Sequence, residues 1–253
     1  MPPTRGAGRP ADPRHPFGPD PDSIPVPDAV RPTGHHLPAV PPRSTTAWGC
    51  VLISLAAAIG LFLRGDGPPF FQGLDDSWER AMDGSRAGAV SGLAVVLDRL
   101  GGPLGVVVPL ALVGCLCVYG RWRSGLFAFA AAVGANILVV LPLKQLADRP
   151  RPPHPWVLVN DGSYPSGQVF TAATLVVVTG LLLFPPRVRR WWWPAAALYV
   201  GAMMWSRTWL HAQWLSDTAA GALAGVGATL LLWRAFRPLL REEGERLAAG
   251  RLW

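Results

Sequence analysis

The chain has 253 residues and a mass of 27.1 kDa; half of it is apolar, 15% is charged, and the mean hydropathy is +0.27. That balance points to lipid rather than water as the solvent. The 28 Gly and 27 Pro follow no Gly-X-Y period, which excludes a collagen-like chain, and the apolar runs are too long for a wholly disordered one.

The formal charge is +7 and the pI about 10.3. Arginines set between long apolar runs read as topology anchors against anionic head groups, so no nucleic-acid partner is expected. Of the 23 basic residues only Lys144 is a lysine, conspicuous because Arg can usually replace Lys at a membrane edge. Cys50, Cys115 and Cys117 lie inside apolar runs and read as small hydrophobes; no disulfide framework or zinc spacing is present.

Residues 1–44 hold 13 prolines, scattered Arg and Asp, and no apolar stretch. Such a segment buries too little surface to offset its ordering entropy, so a disordered cytoplasmic tail without the signal-peptide pattern is expected. From Thr45 the pattern changes. Thr45 to Leu63 is free of charge for 19 residues, about the length that crosses a bilayer as a helix. Gly101 to Gly120, Ser124 to Leu143, Gln168 to Phe184, Trp191 to Trp205 and Trp214 to Trp233 follow as further candidates. The expected fold is thus all-α, a six-helix transmembrane bundle over 45–233 with a basic cytoplasmic C-tail over 234–253. The piece Ala87 to Leu97 is too short to span and is expected as an interfacial or re-entrant helix.

Counted over alternate connections, 15 of the 23 basic residues fall on the side of both termini, which places the termini in the cytoplasm. Nine of the 12 tryptophans lie at span ends, where an amphipathic ring is favoured. Gly221 and Gly225, four apart, stack small faces on one side of the last helix and permit close approach of a neighbour.

Of the eight basic residues on the opposite side, four, Lys144, Arg149, Arg151 and Arg207, crowd the same outer loops. Tyr164-Pro165-Ser166-Gly167-Gln168 opens the fourth span, where free N–H groups attract phosphate. The fifth span ends in Ser206-Arg207, and the sixth begins with Trp214-Leu215-Ser216-Asp217. Such a set suits a phosphoryl group, whose oxygens need spread positive charge. The bland reading of each piece is an anchor, a helix start or a dipole-stabilised carboxylate. An ionisable residue at the membrane edge beside arginines is nevertheless a functional candidate by default.

Lys144 followed after six residues by Arg151-Pro152, then Pro165-Ser166-Gly167, then Ser206-Arg207 followed after nine residues by Asp217, resemble the three signature motifs of the type 2 phosphatidic acid phosphatases, relatives of the vanadium haloperoxidases. The resemblance covers residues 125–233. It implies a six-helix membrane phosphatase of the plasma membrane that removes phosphate from a lipid phosphate, such as phosphatidic acid, or an isoprenyl diphosphate such as undecaprenyl diphosphate, at the extracytoplasmic face and without a metal or cofactor. By that resemblance Lys144, Arg151 and Arg207 would hold phosphoryl oxygens, Ser166 and the Gly167 backbone would assist, and Asp217 would orient the nucleophile.

Two departures stand out. Where the family has the histidine that protonates the leaving group, this chain has Gln168; where it has the histidine nucleophile, this chain has Gln213. An amide is neither basic nor appreciably acidic near neutral pH, and it cannot form a phosphohistidine. His211, two residues from Gln213, is a displaced-nucleophile candidate, although a continuous helix would turn it about 200° away. His154, in the proline-rich loop, is a weaker candidate for the acid. Three functions therefore stay open: a lipid-phosphate hydrolase, a catalytically inactive pseudophosphatase that binds lipid phosphate or regulates a partner, and a lipid transporter or scaffold. Polar residues collected at one membrane face favour a phosphate site over a translocation path, which would place ionisable groups near the midplane.

Overall fold

The structure is a computed structural model, and it describes residues 42, 44–65, 67–84, 88–159 and 162–249. The expected tail, residues 42 and 44 excepted, lies outside the described residues, and with it His15, His35 and His36. Every regular element among the described residues is helical.

The charge-free first run forms α1 (Ser44–Leu63). It buries Thr45, Gly49, Ala56 and Gly60 and leaves larger apolar side chains such as Leu55 and Phe62 exposed, as a lipid-facing helix does. A short α2 (Gln72–Ala81) carries the buried Asp75. α3 (Ala89–Gly101) and α4 (Pro103–Val118) are separated by Gly102 alone, and the two halves meet at 47°. The piece expected as an interfacial or re-entrant helix is the first half of this bent pair, the geometry of a broken span or of a re-entrant loop, and its residue 87 lies outside the described residues.

α5 (Trp122–Ala147) contains two π-helical stretches, Ala130–Gly134 and Asn136–Val140. The wider turns change which side chains share a face, a pattern frequent at functional sites. α5 ends where Asp148 takes a left-handed backbone, φ 38°. α6 (Gly167–Leu182) is mostly buried and has no exposed residue, α7 spans Pro186–Trp209, and α8 spans Leu215–Ala248.

Each of the six predicted apolar segments falls largely within a helix. Among the described residues α1, α5 and α8 are long and apolar enough to cross a membrane, and α3 with α4 makes a fourth if the bent pair is one span. α6 is a shorter apolar helix, and α7 opens with Arg187, Arg189 and Arg190, so neither meets that measure of length and composition. The structure thus identifies three or four candidate spans where the sequence pattern gives six.

α8 is the axis of packing. At 34 residues it is about 51 Å long, well beyond a bilayer core of about 30 Å, and it continues through the described part of the basic C-tail. Two faces of small residues let neighbours close on it. A Cβ on Gly227 would lie 2.9 Å from the Gly49 carbonyl oxygen of α1, and one on Gly221 would lie 2.5 Å from the Ser166 carbonyl oxygen at the start of α6. Near its far end Glu243, buried, accepts hydrogen bonds from the backbone N–H of Arg123 (2.8 Å) and Ser124 (3.1 Å) and from the Ser124 hydroxyl. A carboxylate is favoured at such a helix N-terminus. Burial pulls the Arg121 guanidinium below its usual range, and neighbouring Glu243 opposes that shift.

Candidate functional site

Three segments meet at one end of the bundle: the end of α5 with the loop after it, the start of α6, and the α7–α8 connection. Ser166 caps α6, its hydroxyl oxygen accepting from Val169 N–H at 3.3 Å, while its own N–H donates to the Asp217 carbonyl at 3.0 Å. Gly221 sits under this junction; its missing side chain is what allows the start of α6 to rest on α8.

Gln213 ties the segments together. Its Oε1 accepts from Ser166 Oγ at 2.6 Å and from Arg207 Nε at 3.3 Å, and its Nε2 donates to the Ser163 carbonyl at 3.0 Å. Lys144 Nζ donates to the Gly162 carbonyl at 3.2 Å, and Arg151 donates to the same carbonyl at 3.0 Å and to that of Ala212 at 2.6 Å. Charged donors on main-chain carbonyls fix both long side chains to the loop.

Lys144, Arg151, Gly167, Gln168, Arg207 and Gln213 line one cavity of about 430 Å³, with Val106, Val140 and Leu141 on an apolar wall. Ser166 lies just behind it, fully buried. The cavity therefore gathers three cations and three amides, Asn136 included, from positions up to 77 residues apart in sequence (136 to 213). Asn136, from the second π-helical stretch, also faces it.

The remaining site candidates sit elsewhere. Asp217 is completely buried and does not line the cavity. It accepts from Arg149 Nη1 (2.7 Å), from Trp214 N–H (3.0 Å) and from the Ser163 hydroxyl, so it reaches Gln213 by way of Ser163. Arg149, expected in the anion cluster, is instead committed to protein carboxylates. It bonds Asp75 and Asp217 at 2.7 Å each, together with Ser216 and Gln72, and stacks over Trp214 at 5.1 Å. It locks α2 to the start of α8.

His211 does not reach the cavity either. The helix closes at Trp209, and His211 takes a left-handed backbone, φ 49°, that turns it into a second cavity of about 350 Å³ shared with His154. There it stacks on Trp156 with ring centres 5.4 Å apart, and its Nδ1 is 3.3 Å from a Glu79 carboxylate oxygen. Beside the first cavity, Tyr164 donates its hydroxyl to the Ala56 carbonyl; burial, reinforced by Asp217, pushes that phenol well above its usual range, so it is a neutral donor.

Sequence reasoning missed Asp98. It lies at the end of α3, ion-paired with Arg207, and accepts from Gln168 Nε2 at 3.3 Å. The available signal was a carboxylate at the edge of an apolar run, directly after Ala87 to Leu97. Among the described residues no group of three or more His, Cys, Asp or Glu could hold a metal ion.

Residues 125–241 match the profile of the PAP2 superfamily, eight residues beyond the expected motif core. Among solved structures, the chain is similar to the first transmembrane PAP2-type phosphatidylglycerolphosphate phosphatase from Bacillus subtilis. The TM-score is 0.63 and the identity 20%, over 78% of this chain and 97% of that one; at such identity the likeness is one of fold. Comparison with curated proteins gives no match. Residues 125–241, a little under half of the chain, thus match the PAP2 superfamily, and the chain shares the fold of a transmembrane PAP2 protein.

Proposed function

We propose that this chain is a multi-pass plasma-membrane protein that binds the phosphate or diphosphate head group of a membrane lipid, at the extracytoplasmic face, without hydrolysing it. The observation that carries the reading is the single cavity lined by Lys144, Arg151 and Arg207. Three fixed cations supply the spread positive charge that phosphoryl oxygens need, and the helix start at Ser166-Gly167 adds N–H donors. The apolar wall of Val106, Val140 and Leu141 suits the chain of a lipid attached to that head group. The basic bias of the connections supports cytoplasmic termini and hence an outward-facing site.

Binding without turnover follows from the two amides. Gln168 and Gln213 stand where the resemblance implies the acid and the nucleophile, and positioned proton transfer alone typically contributes ~10²- to 10⁴-fold. His211 lines a different cavity. Hydrolysis is the second reading, favoured by the likeness to a phosphatase; a water held near Gln213 would then be the nucleophile.

The test is purified protein assayed on phosphatidic acid, phosphatidylglycerolphosphate and undecaprenyl diphosphate, beside Gln168→His, Gln213→His and the double variant. Turnover only in the double variant is the expected result. Turnover by the native chain would replace the binding reading with hydrolysis, and phosphate affinity unchanged in both Lys144→Ala and Arg207→Ala would remove the cavity from either.

A further inference from the structure

We propose that Asn136 reads the linkage between the phosphoryl group and the chains of the bound lipid, so that the cavity favours an ester-linked glycerol phosphate over a prenyl phosphate of the same charge. The inference rests on reading the cavity as a lipid-phosphate site and names the class of lipid that the site selects.

Asn136 reaches the cavity because α5 is not a regular α-helix there. Across Asn136–Val140 a turn closes from i to i+5, with the Leu141 N–H bonded to the Asn136 carbonyl. Asn136 and Leu141 therefore stack about one turn apart, whereas five residues of α-helix would set them roughly 140° apart. Asn136, Leu141 and Lys144 all line the cavity. Asn136 precedes Lys144 by eight residues, which places it up to about 12 Å along α5 from the charged end. Thr171 of α6, about 6 Å along the axis beyond Gly167, adds a hydroxyl to the same inner part of the cavity.

The Asn136 amide makes no hydrogen bond with another described residue. The residue is half-buried, and neither its amide nitrogen nor its oxygen is among the enclosed polar atoms, so a ligand in the cavity can touch both. An amide inside a span-length apolar helix ordinarily bonds across to a neighbouring helix. Here the ligand is the available partner.

Water serves such an amide in the free protein. A hydrocarbon chain that displaces this water leaves the amide unpaired, whereas an ester carbonyl takes its place by accepting from Asn136 Nδ2. A diacylglycerol phosphate carries its ester carbonyls a few bonds from phosphorus. A prenyl phosphate is hydrocarbon from its first carbon. Val106, Val140 and Leu141 pack against either kind of chain, so the discrimination falls to Asn136.

The experiment follows displacement of inorganic phosphate from full-length protein purified in detergent. The competitors are phosphomonoesters of equal charge: short-chain phosphatidic acid, its di-ether analogue of the same chain length, which lacks both carbonyls, and geranyl phosphate. Native protein is expected to bind the ester more tightly than the ether by about three- to tenfold, the scale of one neutral hydrogen bond, and more tightly than geranyl phosphate. Asn136→Leu brings the ester-to-ether ratio towards one.

Equal affinity of native protein for ester and ether overturns the proposal without recourse to a variant. A ratio that Asn136→Leu leaves unchanged, or a native preference for geranyl phosphate, overturns it as well. In all three cases displacement of phosphate by the lipids still upholds the phosphate site. Phosphate that binds but is displaced by none of the lipids identifies free phosphate as the ligand and contradicts the proposal. Native protein that binds no inorganic phosphate ends the reading of the cavity as a phosphate site, and this inference with it.

Discussion

Ser166 donates its hydroxyl to Gln213 Oε1 across 2.6 Å, joining the first turn of α6 to the connection between α7 and α8. Arg207 donates to the same oxygen, so one amide holds a helix cap and a cavity cation in register. The bond needs a side-chain acceptor at residue 213 but no titratable group. Glutamine thus keeps the architecture of the site while lacking acid/base chemistry.

Gln213→Leu removes that acceptor at similar volume. Ser166 and Arg207 lose their shared partner, and phosphate affinity is expected to fall about tenfold, the scale of one or two hydrogen bonds to a charged ligand site. Titration calorimetry on the folded variant checks this, and an unchanged dissociation constant would mean that Gln213 does not position the cradle.

The two arginines of the 149–151 segment are expected to separate cleanly. Arg149→Ala leaves Asp75 and Asp217 buried without their cation, a loss on the scale of about 3–5 kcal/mol. Arg151→Ala should lower phosphate affinity with a much smaller effect on stability. Thermal unfolding in detergent paired with phosphate titration reads both quantities; equal loss of Tm in the two variants contradicts the division of roles.

Gly221→Ala tests the packing under the site. The added methyl would lie 2.5 Å from the Ser166 carbonyl oxygen, a backbone atom that cannot swing away. Overpacking of this kind costs about 1–3 kcal/mol, so a lower Tm is expected together with weakened phosphate binding as the α6 start shifts. A variant as stable as native would show that the α6–α8 contact accommodates a side chain at residue 221.

His211→Ala should leave phosphate affinity within about twofold of native, since sites without shared partners behave nearly independently. The imidazole lines the second cavity, with Glu79 and Trp156 as its neighbours. A large loss on titration would bring His211 back into the phosphate site.

The sequence by itself determined a helical membrane protein and the charged and amide residues Lys144, Arg151, Gln168, Arg207 and Gln213 that line its cavity. Charge-free runs of span length favour helix in lipid, and a lysine and arginines gathered at the ends of apolar runs call for an anionic partner. Only the tertiary structure decided which of those charges are committed elsewhere. Arg149 and Arg151 are two residues apart, yet one is enclosed by Asp75 of α2 and Asp217 of α8 and the other lines the cavity. Asp98 belongs to the same class of fact: its partners Gln168 and Arg207 are 70 and 109 residues away, and no local spacing encodes a meeting that exists only when α3, α6 and α7 pack together. The left-handed backbone at His211 likewise depends on how α7 closes against the loop, where Trp156 N–H bonds the Leu210 carbonyl at 3.0 Å.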